Sequence, residues 1–172
     1  MNNNQKILLY FSKIAELYPV GHSKYAPGTI ASLIGIVIGY FLILNVDIKF
    51  YLIFLFLFIM MSYFLCEIHL KLYNKKDPKE VVVDEVSGQL IAILACIQSE
   101  KFTYIFLSLL LSFILFRFFD ITKIGPIKKF ENLPNGIGIM ADDIVAGLFA
   151  FVTQAAILTS LNQNIYIKTL WN

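Results

Sequence analysis

The stretch Ile139-Met140-Ala141-Asp142-Asp143-Ile144-Val145-Ala146-Gly147 opens a run in which no residue from Ile144 to Ile167 is charged. A helix of about 20 apolar residues, rising 1.5 Å per residue, crosses the roughly 30 Å hydrocarbon core of a bilayer. Two carboxylates at the start of such a helix cost free energy unless water or a cation accompanies them. The stretch therefore predicts a transmembrane helix with an acidic site at one end, to which the other helices bring partners.

The composition is that of an integral membrane protein with one domain. Of the 172 residues, 58% are hydrophobic and 15% are charged, and the mean hydropathy is +0.73. Soluble domains average about 45–50% apolar and about 25% charged residues. The net charge of +2 gives no reason to expect a nucleic-acid partner. We predict a single membrane-embedded domain over residues 1–172, and composition leaves its oligomeric state open.

The hydropathy pattern predicts an all-α bundle of about five transmembrane helices. Residues 5–17 place apolar side chains at helical spacing but are broken by charges, which is typical of an amphipathic helix lying at the membrane interface. Small residues recur on the first span and predict close packing of one of its faces. The predicted spans are Thr29–Val46, Phe50–Cys66, Val81–Gln98, Phe102–Phe119 and Met140–Leu161.

The lysines predict the orientation of the bundle. Counted over the predicted loops, ten lysines lie on the side of the N-terminus and three on the other side, so the first side is expected to be cytoplasmic. The first group is Lys6, Lys13, Lys24, Lys71, Lys75, Lys76, Lys79, Lys123, Lys128 and Lys129, and the second is Lys49, Lys101 and Lys168.

With that topology, the charged residues near helix ends gather at one membrane face. Asp84-Glu85 opens the third span, Arg117 and Asp120 close the fourth, and Asp142-Asp143 opens the fifth. Grouped carboxylates repel one another, and oxygen-only ligation favours magnesium as the ion that removes this repulsion. The arrangement predicts a phosphate-ester site served by a metal.

Other features suit a phosphate group, although a purely structural explanation exists for some acids. Arg117 and Lys123 offer cationic contacts, and the Gly136–Gly138 segment leads into a helix start, where free N–H groups favour an anion. Asp142 is alternatively a helix cap. Glu67 is expected to lie at a solvated surface.

Four stretches of the chain resemble the phosphatidylglycerophosphatase A family, the bacterial membrane phosphatases of phospholipid synthesis. They occur in the family's order and span residues 21–147. The stretches are Gly21-x-Ser23 with Pro27-Gly28-Thr29-x-x-Ser32-Leu33, Asp84-Glu85-x-x-Gly88, Phe116-Arg117-x-x-Asp120-x-x-Lys123-x-x-Pro126-Ile127, and Gly136-Ile137-Gly138-Ile139-Met140-x-Asp142-Asp143-Ile144-Val145-Ala146-Gly147.

The resemblance implies magnesium-dependent hydrolysis of phosphatidylglycerophosphate to phosphatidylglycerol and inorganic phosphate, at the cytoplasmic face of the bacterial inner membrane. It implies three overlapping sets of site residues. The catalytic set is Asp84, Glu85, Arg117, Asp120 and Asp143; the phosphate-binding set is Thr29, Arg117, Lys123, Gly136 and Gly138; the metal set is Asp84, Glu85, Asp142 and Asp143.

Several alternatives stay open at the level of sequence. Ile124-Gly125 stands where the family often has Pro-Trp, which bears on headgroup specificity. The substrate is alternatively another lipid phosphomonoester, and a small transporter or scaffold without enzymatic activity is a third possibility. Asp120 either orients Arg117 or acts as a general base, and the attacking group is either water or a carboxylate that forms an aspartyl-phosphate.

Overall fold

A computed structural model describes residues 2–74, 78–98, 102–131 and 133–170. The described residues form seven α-helices and two 3-10 helices and contain no β-strand. The 3-10 helices are Val20–His22 and Ile93–Gln98. The α-helices are α1 (Asn3–Ala15), α2 (Pro27–Asn45), α3 (Ile48–Tyr73), α4 (Val83–Ala92), α5 (Phe102–Thr122), α6 (Ile127–Glu131) and α7 (Asn135–Leu170).

Four described helices are long and apolar enough to cross a membrane, which confirms the predicted all-α membrane architecture. They are Pro27–Asn45, Ile48–Tyr73, Ile105–Thr122 and Asn135–Leu161. The count of five spans is not confirmed, because the segment predicted as the third span is not one continuous helix. Instead, α4 ends at Ala92 after ten residues and the chain continues as a 3-10 helix. The helix α1 forms, but its predicted place at the interface is not confirmed.

The short helix α4 occupies the centre of the bundle, where every residue except Glu85 is buried. The helix α2 packs on it through the small-residue face predicted from the sequence. A Cβ atom on Gly35 would lie 3.0 Å from Gln89 Cβ, and one on Gly39 would lie 2.8 Å from Ile93 Cδ1. Small residues at these positions therefore let the two backbones approach closely, as in other membrane bundles.

The helices α4 and α7 cross in direct backbone contact at two glycines. A Cβ on Gly147 would collide with the carbonyl oxygen of Gly88, and one on Gly88 would lie 2.6 Å from the carbonyl oxygen of Asp143. Glu85 of α4 and Asp143 of α7 each lie about one turn of their own helix from the glycine at this crossing. The close approach thereby brings together two acidic pairs that are almost sixty residues apart in the chain.

The start of α7 differs from the prediction. The helix begins at Asn135 and not at Met140, because Gly136 and Gly138 are helical although their spacing suggested a loop. Asp142 and Asp143 therefore lie about 10 Å along the helix from its first residue. At that position Asp142 is in the helix interior, so it does not act as an N-terminal cap.

Candidate active site

Four acidic side chains from α4 and α7 form the centre of the site. Asp84, Asp142 and Asp143 are buried, and Glu85 is partly buried. Asp143 interacts electrostatically with both residues of the α4 pair and with Asp142 beside it. The structure thus brings the two predicted acidic pairs into one cluster.

The end of α5 adds an ion pair to this cluster. Arg117 Nη1 lies 2.6 Å from Asp120 Oδ2, as expected for residues three apart on one helix face. Glu85 interacts electrostatically with both residues, and Asp120 also interacts with Asp143. Arg117 therefore lies beside a carboxylate of α4 as well as one of its own helix.

Lys123 connects the turn after α5 to α7. Its backbone φ of +46° ends the helix, with its N–H bonded to the carbonyl oxygen of Phe119. Its Nζ donates to Asp142 Oδ2 over 2.8 Å. One acid of the α7 pair is thus engaged by a lysine, while the other, Asp143, faces the α4 acids.

Gly28 is a site residue that the sequence-based set omitted. A Cβ on Gly28 would collide with Glu85 Oε1 and would lie 3.2 Å from Arg117 Nη1. The first turn of α2 therefore forms a wall against which the carboxylate and the guanidinium both lie. The available signal was the Pro27-Gly28-Thr29 motif, from which the predicted set takes Thr29 and not Gly28.

The remaining predicted phosphate-binding positions, Thr29, Gly136 and Gly138, are placed differently from one another. Thr29 follows Gly28 in the first turn of α2. Gly136 N–H donates to Glu67 Oε1 of α3 over 2.8 Å, and Gly138 is buried in the next turn. Glu67 is 16% exposed and binds the start of α7, so its predicted position at a solvated surface is wrong.

The charges of the cluster are unbalanced. Asp84, Glu85, Asp120, Asp142 and Asp143 supply five carboxylates, whereas Arg117 and Lys123 supply two cations. Ionised carboxylates in excess would repel a phosphate group, and the repulsion is strong where water is partly excluded. A phosphate-binding role therefore requires additional positive charge, either as a metal ion or as protons.

The cluster has free oxygen atoms of the kind that magnesium prefers. Within the part of the chain that the structure describes, three buried carboxylate oxygens have no hydrogen-bond partner: Glu85 Oε2, Asp142 Oδ1 and Asp143 Oδ1. No group of three or more described His, Cys, Asp or Glu side chains has the arrangement of a metal site. Magnesium usually takes one or two carboxylates together with water and substrate phosphate, so these residues fit that ion.

The similarity of the chain to known proteins agrees with this chemistry. A family model described as phosphatidylglycerophosphatase A matches residues 13–158, a range that contains every site residue discussed above. The chain belongs to the phosphatidylglycerophosphatase A family. As a member of the phosphatidylglycerophosphatase A family, it is a membrane-bound lipid phosphatase.

Two relatives named phosphatidylglycerophosphatase A match about three quarters of the chain, and a third relative matches less than half of it. Phosphatidylglycerophosphatase A of Haemophilus influenzae is 40% identical over 133 residues, which are 77% of this chain and 78% of the relative. The Escherichia coli K12 protein of the same name is 32% identical over 76% of this chain and 73% of its own length. A putative phosphatidylinositol-3-phosphatase of Bacteroides thetaiotaomicron is 39% identical over 46% of this chain and 48% of its own length. No solved structure matches the chain.

Proposed function

We propose that the protein hydrolyses phosphatidylglycerophosphate to phosphatidylglycerol and inorganic phosphate with the help of magnesium. The observation that carries this proposal is the meeting of the α4 and α7 acids with Arg117 and Lys123 in one cluster. The relatives from Haemophilus influenzae and Escherichia coli, which are named for this activity, support the choice of substrate.

Arg117 and Lys123 are proposed to bind the terminal phosphate of the lipid. Each is already held by a carboxylate, at 2.6 Å from Asp120 and 2.8 Å from Asp142. A cation held in place before the substrate arrives loses little entropy when it binds. The planar guanidinium can donate two parallel hydrogen bonds to phosphate oxygens and stabilise negative charge that develops during the reaction.

Asp120 is assigned an orienting role rather than that of a general base. Its Oδ2 atom lies 2.6 Å from Arg117 Nη1, so the carboxylate is engaged by the guanidinium that it positions. An engaged carboxylate is a poor proton acceptor, because removing it from the ion pair costs energy. The general base is therefore proposed to be one of the α4 or α7 acids, and the attacking group is proposed to be water.

Magnesium is proposed to be held by one or two carboxylates of the predicted set Asp84, Glu85, Asp142 and Asp143, together with water and substrate phosphate. Glu85, Asp142 and Asp143 each have a buried oxygen without a hydrogen-bond partner among the described residues. Glu85 and Asp143 are the strongest candidates, because the other oxygen of Asp142 already accepts from Lys123. When bound, the ion would supply positive charge for the phosphate and would lower the pKa of a bound water. The same carboxylates are also the ones whose mutual repulsion it would remove.

The site is proposed to face the cytoplasm at the inner membrane. The ten residues of α4 and the six residues of the following 3-10 helix together span about 27 Å, enough to carry the chain between the two faces. With this proposed fifth crossing, the starts of α2, α4 and α7 would all lie on the lysine-rich side. The side chains of Lys75, Lys76, Lys101 and Lys168, which enter the lysine count, lie outside the described residues.

The helix α1 is proposed to lie at the interface on that same side. Its Ile7, Tyr10 and Phe11 are exposed, whereas Ser12 and Ala15 are buried against the bundle. A helix with one face packed on protein and a second apolar face uncovered is suited to rest on the acyl boundary.

The proposal is tested by measuring phosphate release from lipid phosphomonoesters in mixed micelles. We expect release from phosphatidylglycerophosphate with magnesium, loss of release on adding a chelator, and recovery when magnesium is restored. Phosphatidic acid and phosphatidylinositol 3-phosphate serve as comparison substrates. Preferential hydrolysis of either comparison lipid would contradict the proposed substrate. Activity that persists in the presence of the chelator would contradict the proposed dependence on magnesium.

A further inference from the structure

The structure contains an apolar groove between α2 and α5 with a volume of about 210 Å³. Leu109 is 8% exposed, whereas Val37 and Phe106 are 68% and 62% exposed, so the first forms the floor and the other two form the rims. The lining residues are Ile36, Val37, Tyr40, Ile105, Phe106 and Leu109.

The groove lies on the same two helices that carry part of the active site. Gly28 in the first turn of α2 lies beside Arg117 of α5. The groove residues of α2 follow Gly28 by eight to twelve residues, and those of α5 precede Arg117 by eight to twelve residues. These two helices run in opposite directions, so the groove residues of both lie at the same depth. That depth is about 12–18 Å from the site towards the bilayer centre.

Apolar side chains connect the site to the groove along both helices. On α2, Thr29, Leu33 and Val37 follow one another at four-residue spacing and share a face. On α5, Arg117, Phe113 and Leu109 do the same. Leu33 is 48% exposed and Phe113 is partly exposed, so the surface between site and groove is apolar and accessible.

We propose that this groove binds one acyl chain of the lipid substrate while its phosphate is held at Arg117 and Lys123. The inference rests on the proposed function, since a phosphate held at that depth fixes where the chains of the same lipid enter the hydrocarbon. An apolar chain in an apolar groove leaves no polar group unsatisfied. The groove thereby orients the lipid and contributes binding energy that a headgroup alone lacks.

The test compares a dipalmitoyl and a dihexanoyl phosphatidylglycerophosphate with the wild-type protein and with Val37→Trp, which places an indole in the groove from its rim. We expect Val37→Trp to raise KM for the dipalmitoyl substrate by roughly tenfold. We expect kcat/KM for the dihexanoyl substrate to change less than about twofold. Ile53→Trp, on the exposed face of α3, is the matched control and is expected to change neither value.

Phe106→Ala provides a second, independent variant, because it removes the opposite rim and adds no bulk. We expect it to reduce the preference for the long-chain substrate without lowering turnover of the short one. An equal loss of kcat/KM on both substrates would overturn the groove assignment. No loss of kcat/KM with either variant would also overturn it and would indicate that the groove contacts bulk lipid only. If the wild-type protein hydrolyses neither substrate, the proposed function itself is wrong, so the two failures are distinguishable.

Discussion

Gly147 of α7 lies against Gly88 of α4 so closely that a Cβ on Gly147 would collide with the Gly88 carbonyl oxygen. The contact is between backbones, so no side-chain rotation can relieve an added methyl group. It sets the separation of the two helices at the point where each carries its acidic residues. Helix packing and the geometry of the site are therefore coupled at this crossing.

We predict that Gly147→Ala forces the two helices apart. Overpacking a close contact costs about 1–3 kcal/mol, and a displacement of about 1 Å in an active site can cost about 100-fold in rate. Thermal unfolding in detergent and phosphate release measure the two effects. Leu148→Ala, at the neighbouring exposed position, is the control and is expected to behave like the wild type. A fully active Gly147→Ala protein would show that the crossing does not set the site.

We predict that Gly28→Ala strongly lowers turnover while the protein still inserts and folds. The new methyl group would occupy the space of Glu85 Oε1, and the carboxylate would have to move away from Arg117. We expect kcat to fall by about 100-fold. The measurement is the rate of phosphate release at saturating lipid. Phe41→Ala on the exposed face of α2 is the matched control, and equal rates for the two variants would exclude this role for Gly28.

We predict that Asp143→Asn lowers turnover by at least about 100-fold, since the amide keeps the size of the carboxylate but loses the charge that a cation requires. Any residual activity should require more magnesium than the wild type does, which a titration of initial rate against magnesium measures. Asp47→Asn is the control, because Asp47 caps α3 and asparagine caps equally well. An unchanged magnesium requirement in Asp143→Asn would place the ion elsewhere.

We predict that Glu67→Ala destabilises the start of α7. Loss of a hydrogen bond from Gly136 N–H to a charged carboxylate costs about 1.5–3 kcal/mol. Turnover should also fall, because the turns before Asp142 lose their attachment to α3, and Glu67→Gln should be milder since it keeps an acceptor. Lys71→Ala removes the exposed partner of Glu67, 3.6 Å away and 79% exposed, and should have little effect. Similar unfolding temperatures for Glu67→Ala and Lys71→Ala would refute the role of Glu67 in stabilising the start of α7.

The sequence by itself determined the membrane-helix architecture and the identity of the polar groups. Uncharged runs such as the one after Asp143 must be helical in a bilayer, because only internally hydrogen-bonded backbone is stable there. The spacing of Arg117 and Asp120 predicted their shared helix face, and the small residues of α2 predicted its packing face. These are local properties, which can be read from a short window of residues.

Only the tertiary structure decided how far each helix runs and which polar groups meet. The start of α7 is stabilised by Glu67, which accepts from the N–H of Gly136 although it lies 69 residues away in the chain. Gly28 lies at the site because Glu85 of another helix packs against it, and Lys123 pairs with Asp142 across a turn. Such contacts depend on the packing of distant segments, for which local hydropathy and spacing carry no signal.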